Sequence, residues 1–282
     1  MQKKLSCLVA ILAVMTLLLL PATPSYAANA TFVANQLVVK LNPVTGATIE
    51  AVNATYGTSV IKPLPNTPGI YLLNTPVGVD PATLAARMAT DVRLLFAEPN
   101  FISQILEGIG RGNWAWGGPD ANPLTQQYAL TLLGVPQAHT LSTGAGSIVA
   151  VLDTGVQLDH PALASKLLPG YDFIDNDNVP AEDYAQLALQ GADQIAGHGT
   201  HVAGIVRQTA PDAQIMPVRV LDAHGLSDAF IVAQGIQYAA QHGANVINLS
   251  LGTADKSELI QDVLHTIGEE GNVVVVAAAG NA

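Results

Sequence analysis

Ser147-Ile148-Val149-Ala150-Val151-Leu152-Asp153-Thr154-Gly155 is an unbroken apolar run that ends on a carboxylate and a Thr-Gly turn. A strand without polar alternation is buried on both faces, and such strands belong to parallel sheets flanked by helices. Outward from this run the same pattern repeats. Ile215 to Leu221, Val246 to Leu249 and Val273 to Ala277 are further apolar runs, and the spacing between them predicts helices near 199–208, 228–242 and 257–268. Residues 123–282 therefore read as α/β, a parallel sheet with helices on both faces.

Upstream the pattern changes. Gln36 to Leu41, Ser59 to Ile61, Ile70 to Leu73 and Val92 to Ala97 suit strands, the last ending in Glu98-Pro99-Asn100. Thr45 to Tyr56 has helical spacing, and Asp80-Pro81 is an N-cap with proline at the first helical position, ahead of Leu84, Ala85 and Met88. The order β-α-β-β-α-β predicts a small α+β, ferredoxin-like plait within residues 28–106. Residues 107–122 hold five glycines and no apolar period, which reads as a Gly-rich linker, although Trp114 and Trp116 are unusual in a spacer.

Lys3 and Lys4 precede an uncharged apolar run from Leu5 to Leu20, followed by Pro21, Pro24 and Ser25-Tyr26-Ala27. Sixteen helical residues reach only about 24 Å, short of a bilayer core, and the small-x-small site suits a cut after Ala27. Residues 1–27 are thus read as a secretory signal peptide, with no stable membrane anchor and an extracellular product. Cys7 is the single cysteine, so no internal disulfide forms. The balance of 11 basic to 22 acidic residues argues against nucleic acid as a partner.

Asp153 stands at the carboxyl end of a buried parallel strand, where such sheets place their sites, although a turn cap fits it equally. His198-Gly199-Thr200-His201-Val202-Ala203-Gly204 opens a helix, with His198 at its mouth behind the small Gly199 and His201 expected to pack. A zinc peptidase would need a glutamate after the first histidine and a second histidine four residues on, so that chemistry is disfavoured. Asn281 follows the last strand through Ala278-Ala279-Gly280, either as a turn residue or as an amide donor to a developing oxyanion. Ser250-Leu251-Gly252 would offer a backbone edge to an extended peptide. Asp172, Asp175 and Asp177 are three hard oxygen donors in one loop, read either as a calcium site or as a solvated acidic turn.

VLDTGV at 151–156, HGTHVAG at 198–204, VINLSLG at 246–252 and VVVAAAGN at 274–281 together resemble the subtilisin-like serine peptidases. The plait is similar to that family's propeptide, which occupies the cleft until it is cleaved. The resemblance implies that Asp153 orients the imidazole, that His198 is the general base and acid, and that Asn281 completes the oxyanion hole. It further implies that Ser250, Leu251, Gly252 and Gly225 bind peptide backbone, that no organic cofactor is needed, and that calcium is a candidate ligand. The partners would be peptide substrates and the chain's own propeptide.

The family's nucleophile lies in a Gly-Thr-Ser-Met-Ala segment well after the asparagine, and residues 1–282 contain none. Gly57-Thr58-Ser59 falls inside the plait, and Ser227 reads as the N-cap of the helix from Asp228. The expectation is a secreted serine endopeptidase precursor whose first 282 residues, truncated before the nucleophile, are inactive alone. The rival expectation is a noncatalytic protein using the plait as a peptidase inhibitor or folding helper.

Overall fold

The computed structural model describes residues 31–105, 127–184, 195, 197–253, 255–269 and 273–279. The segments read as signal peptide and linker, with Trp114 and Trp116, lie outside these residues, as does Asn281.

The N-terminal unit is built from β1 (Phe32–Leu41), α1 (Ile49–Tyr56), β2 (Ser59–Pro63), β3 (Ile70–Asn74), α2 (Pro81–Met88) and β4 (Leu94–Gln104). Its strands pair antiparallel in the order β4-β1-β3-β2, the ferredoxin-like arrangement. Helix α1 starts at Ile49 rather than Thr45, because Thr45 closes a 3-10 turn and Thr48 caps the helix, its hydroxyl accepting from Ala51 N. Asp80 caps α2 as the sequence predicts, accepting from Thr83 N at 2.8 Å, with Pro81 in the first turn. Alternation along β1 divides its side chains. Leu37 and Val39 pack on α1 and α2 with Ile49, Val52, Leu84 and Met88, whereas Val38 faces the rest of the molecule.

The second unit opens with two short helices, α3 (Tyr128–Leu132) and α4 (Val135–Ala138), before β5 (Ile148–Asp153). There follow β6 (Tyr171–Asp172), α5 (His198–Thr209), β7 (Gln214–Arg219), β8 (Leu226–Asp228), α6 (Ala229–Gln241), β9 (Val246–Leu249), β10 (Gly252–Thr253), α7 (Glu258–Glu269) and β11 (Val274–Ala277). Five strands form a parallel sheet in the order β11-β9-β5-β7-β6. Its two faces are covered by different helices. Ala150 and Leu152 of β5 join Phe230, Ile236 and Val263 of α6 and α7, whereas Val151 joins Val202 and Ala203 of α5.

Strand β4 does not end at Ala97. It continues through Glu98-Pro99-Asn100 to Gln104, because those polar residues find partners on the second unit. Glu98 accepts from Ser257 Oγ (2.7 Å), Glu258 N (2.6 Å) and Leu259 N (3.1 Å) at the start of α7. Asn100 accepts from Phe230 N in the first turn of α6 at 3.2 Å. Val38, Ile70 and Leu72 complete this seam by joining the core of Phe230, Ile236 and Leu259, and Lys40 pairs with Asp262 at 2.5 Å. Burial of apolar surface, at about 25 cal/mol per Å², makes the two units share one core.

Candidate active site

Asp153 ends β5 with its residue wholly buried, and His198 is the first residue of α5, 4% exposed. Asp153 Oδ1 lies 2.7 Å from His198 Nδ1 and accepts from Thr154 N at 2.8 Å. An ionised carboxylate only accepts, so Nδ1 carries the hydrogen and Nε2 is the nitrogen able to take a proton. Sequence reading places Gly199 here to keep the ring accessible. The structure gives a different reason, since a side chain at Gly199 would collide with the Gly155 carbonyl oxygen and stand 3.0 Å from Asp153 Cβ. His201, expected to pack, is exposed.

Three backbones meet behind this pair. Gly155, at φ 108°, has no room for a Cβ, which would come within 2.6 Å of Ala181 O. This lets the segment 180–182 lie against the end of β5, where Val156 N donates to Pro180 O at 3.0 Å. It brings in Glu182, a residue that sequence reading did not single out. Glu182 Oε1 accepts from Thr200 N at 3.0 Å in the first turn of α5. The hydroxyls of Thr154 and Thr200 lie 3.1 and 3.2 Å from the same oxygen. Burial raises the Glu182 carboxyl above the ordinary range, backbone bonds from Gly197 and Thr200 work against that rise, and the nearby Asp153 adds to it. No motif could have announced Glu182, because its link to Asp153 and His198 exists only in three dimensions.

Strands β8 and β10 flank a groove, and the groove is filled by the end of β4. Ile102, Ser103 and Gln104 pair antiparallel with Asp228, Ser227 and Leu226. On the other side Ser103 and Gln104 pair with Thr253 and Gly252. Ile105 N then donates to Gly225 O at 3.0 Å. Of the four expected peptide-binding residues, Gly225 and Gly252 thus meet an extended backbone directly. Leu251 is buried in the core, and Ser250 accepts from Asn248 Nδ2 at 2.9 Å. Ser227 is not a helix cap. It is fully buried in β8 opposite Ser103, and Asp228 caps α6 by accepting from Ile231 N at 3.0 Å.

The acidic loop does not gather its carboxylates around one point. Asp172 Oδ2 and Asp175 Oδ2 both accept from Arg219 Nη1, at 2.8 and 2.6 Å, while Asp177 accepts from Val179 N. Burial pushes the Asp172 carboxyl up, and the Arg219 charge pulls it back. The guanidinium is the cation with which these two carboxylates pair. Among the described residues no group of three or more His, Cys, Asp or Glu could hold a metal ion.

A model of the subtilase family matches residues 144–282, and one of the fervidolysin N-terminal prodomain matches residues 21–100. Thermitase from Thermoactinomyces vulgaris is 42% identical over 168 residues, covering 56% of this chain and 56% of thermitase. A thermophilic serine proteinase from Bacillus sp. (strain AK1) is 34% identical over 197 residues, covering 66% of this chain and 44% of that protein. The crystal structure of fervidolysin from Fervidobacterium pennivorans overlays 91% of this chain on 41% of its own, with a TM-score of 0.65 at 22% identity, and so shares the fold. The chain spans about half the length of the curated relatives it matches.

Proposed function

From a chain that carries a subtilase domain behind a prodomain of the fervidolysin type, we propose the precursor of a secreted serine endopeptidase that cleaves peptide bonds by acyl transfer. The observation that carries this reading is the 2.7 Å contact between Asp153 Oδ1 and His198 Nδ1, in a fold whose β8–β10 groove already holds an extended peptide. In the proposed mechanism Asp153 holds the imidazole in one tautomer, and His198 Nε2 takes the proton of a serine hydroxyl as it attacks the substrate carbonyl. The same nitrogen then returns that proton to the leaving amine. Asn281 would donate to the oxyanion. No serine of residues 1–282 is assigned the nucleophile's role in this scheme, so residues 1–282 alone are proposed to be inactive.

Peptides would enter as Ser103 to Ile105 now lie, as a middle strand between β8 and β10, with reaction C-terminal to Ile105's position. The prodomain therefore blocks the groove until it is removed. No organic cofactor enters the scheme, and calcium at Asp172, Asp175 and Asp177 is dropped from it because Arg219 takes up two of the three carboxylates. Secretion rests on the charge and apolar pattern of residues 1–27, and no helix among the described residues is long and apolar enough to cross a membrane.

A fluorophosphonate probe tests the reading. Protein extended past residue 282 should be labelled and should hydrolyse a peptide, whereas residues 1–282 alone should not; labelling of the 282-residue chain would overturn the assignment. The pairing of β4 in the groove also favours a second role, in which the prodomain acts as an inhibitor. Addition of the separate prodomain should slow the mature enzyme, and no inhibition would remove that role.

A further inference from the structure

Glu182 is a carboxylate 7% exposed, bonded to Thr154 and Thr200, which follow the two residues on which the proposed chemistry rests, and no part of that chemistry uses it directly. Its Oε1 receives Thr200 N, two residues past His198. Thr154 Oγ1, one residue past Asp153, lies 3.1 Å from Glu182 Oε1 and 3.3 Å from Asp153 Oδ1, and its single proton serves one carboxylate at a time. The same hydroxyl accepts from Gly199 N at 3.1 Å, and the Thr200 hydroxyl accepts from Gln157 N at 2.8 Å. One carboxylate thus ties the end of β5, the turn after it and the first turn of α5 into a single network. Removing such a buried acceptor leaves several donors unpaired, which costs more than the bonds themselves contribute.

We infer that Glu182 is a positioning residue for the Asp153–His198 pair, fixing the start of α5 against the end of β5 so that Nδ1 stays on the Asp153 carboxylate. The inference rests on the peptidase reading. The hydrogen bonds of Glu182 run to Thr154, Gly197 and Thr200, none of them among the paired groove residues Gly225 to Asp228 and Gly252 to Thr253, so its effect is expected on turnover rather than on peptide binding.

The test uses the 282-residue chain with 15N-labelled histidine, together with protein extended to carry the nucleophile. In the wild-type chain the Nδ1–H of His198 should give a low-field proton resonance, identified by its loss in His198→Ala. Glu182→Ala should abolish it, and in the extended protein should lower kcat about 100-fold at little-changed KM, the scale of loss for a small misplacement. Glu182→Gln, whose carbonyl oxygen can still accept from Thr200 N, should recover the resonance and most of the rate. A Glu182→Ala resonance like the wild type's overturns the inference. If that variant does not fold, Glu182→Asp, one methylene shorter, carries the test, and an unshifted resonance there overturns it equally. A wild-type chain without the resonance, or an extended protein that cleaves no peptide, instead counts against the peptidase reading.

Discussion

A methyl group at Gly199 would have to displace the Gly155 carbonyl and would also crowd the Asp153 side chain. Neither can move freely, because Asp153 ends a strand paired on both sides and the segment 180–182 presses on Gly155. Overpacking of this kind costs about 1–3 kcal/mol, so Gly199→Ala should lower the urea midpoint of the 282-residue chain by a corresponding amount. An unchanged midpoint would contradict the close approach. At this scale the sequence was informative where neighbours in the chain are also neighbours in space. Asp153 with Thr154-Gly155, and His198 with Gly199-Thr200, can be read as short contiguous motifs. Glu182 sits 29 positions after Asp153, and nothing in its local spacing marks it. The sequence around Ser227 is ambiguous, because a serine ahead of an aspartate at a helix start fits a cap as well as a strand does, and only the pairing with Ser103 decides between them.

The boundary of β4 shows what local propensity cannot supply. A Glu-Pro-Asn run reads as a stop, yet here it becomes a strand because Glu98 caps α7 and Asn100 meets α6. Removing the acceptor should therefore weaken an element some 160 positions away. Glu98→Ala should destabilise the chain by about 0.5–2 kcal/mol, the range for a lost N-cap, with hydrogen exchange rising first in the amides of Glu258 and Leu259. Exchange confined to β4 would show that the cap carries no energy. The groove strand makes a second prediction. Ile105 is 5% exposed against Gly225, and a charge there would be buried without a partner. Ile105→Asp should thus detach Ile102 to Ile105 from β8 and β10, seen as faster exchange of Ser103 and Gln104 amides while β1 and β3 remain protected. The helices and apolar strands of the parallel sheet were legible because their periods are long and unambiguous. β8 and β10 were not, because strands of three and two residues carry no period.

At the scale of the whole molecule, the fold order of plait followed by parallel sheet was legible from the change of period alone, whereas the seam between them was not. Among the described residues the seam, the site and the acidic loop all bury carboxylates. Glu98, Asp172, Glu182, Asp222 and Asp228 all have carboxyls raised by burial, the first and largest cause in each. A raised carboxyl binds its proton more tightly in the folded chain than in the unfolded one. Its contribution to stability is complete below the ordinary values of 3.8 for Asp and 4.5 for Glu, and is lost as pH rises through the folded value. Asp80, Asp91 and Asp212 shift the opposite way, through hydrogen bonds from Thr83, Arg93 and Thr143 respectively, so their contribution fades only as pH falls below 3.8. The two windows do not overlap. The 282-residue chain should accordingly melt at a higher temperature in mild acid, near pH 5, than near pH 8. Net charge of −11 acts in the same direction by repulsion, so the slope alone is not diagnostic. Glu98→Gln separates the two causes: it changes the net charge by a single unit yet removes one of the five buried titrations. A calorimetric comparison should show a flatter dependence of melting temperature on pH in that variant, and parallel curves would show that the Glu98 titration contributes nothing to the slope.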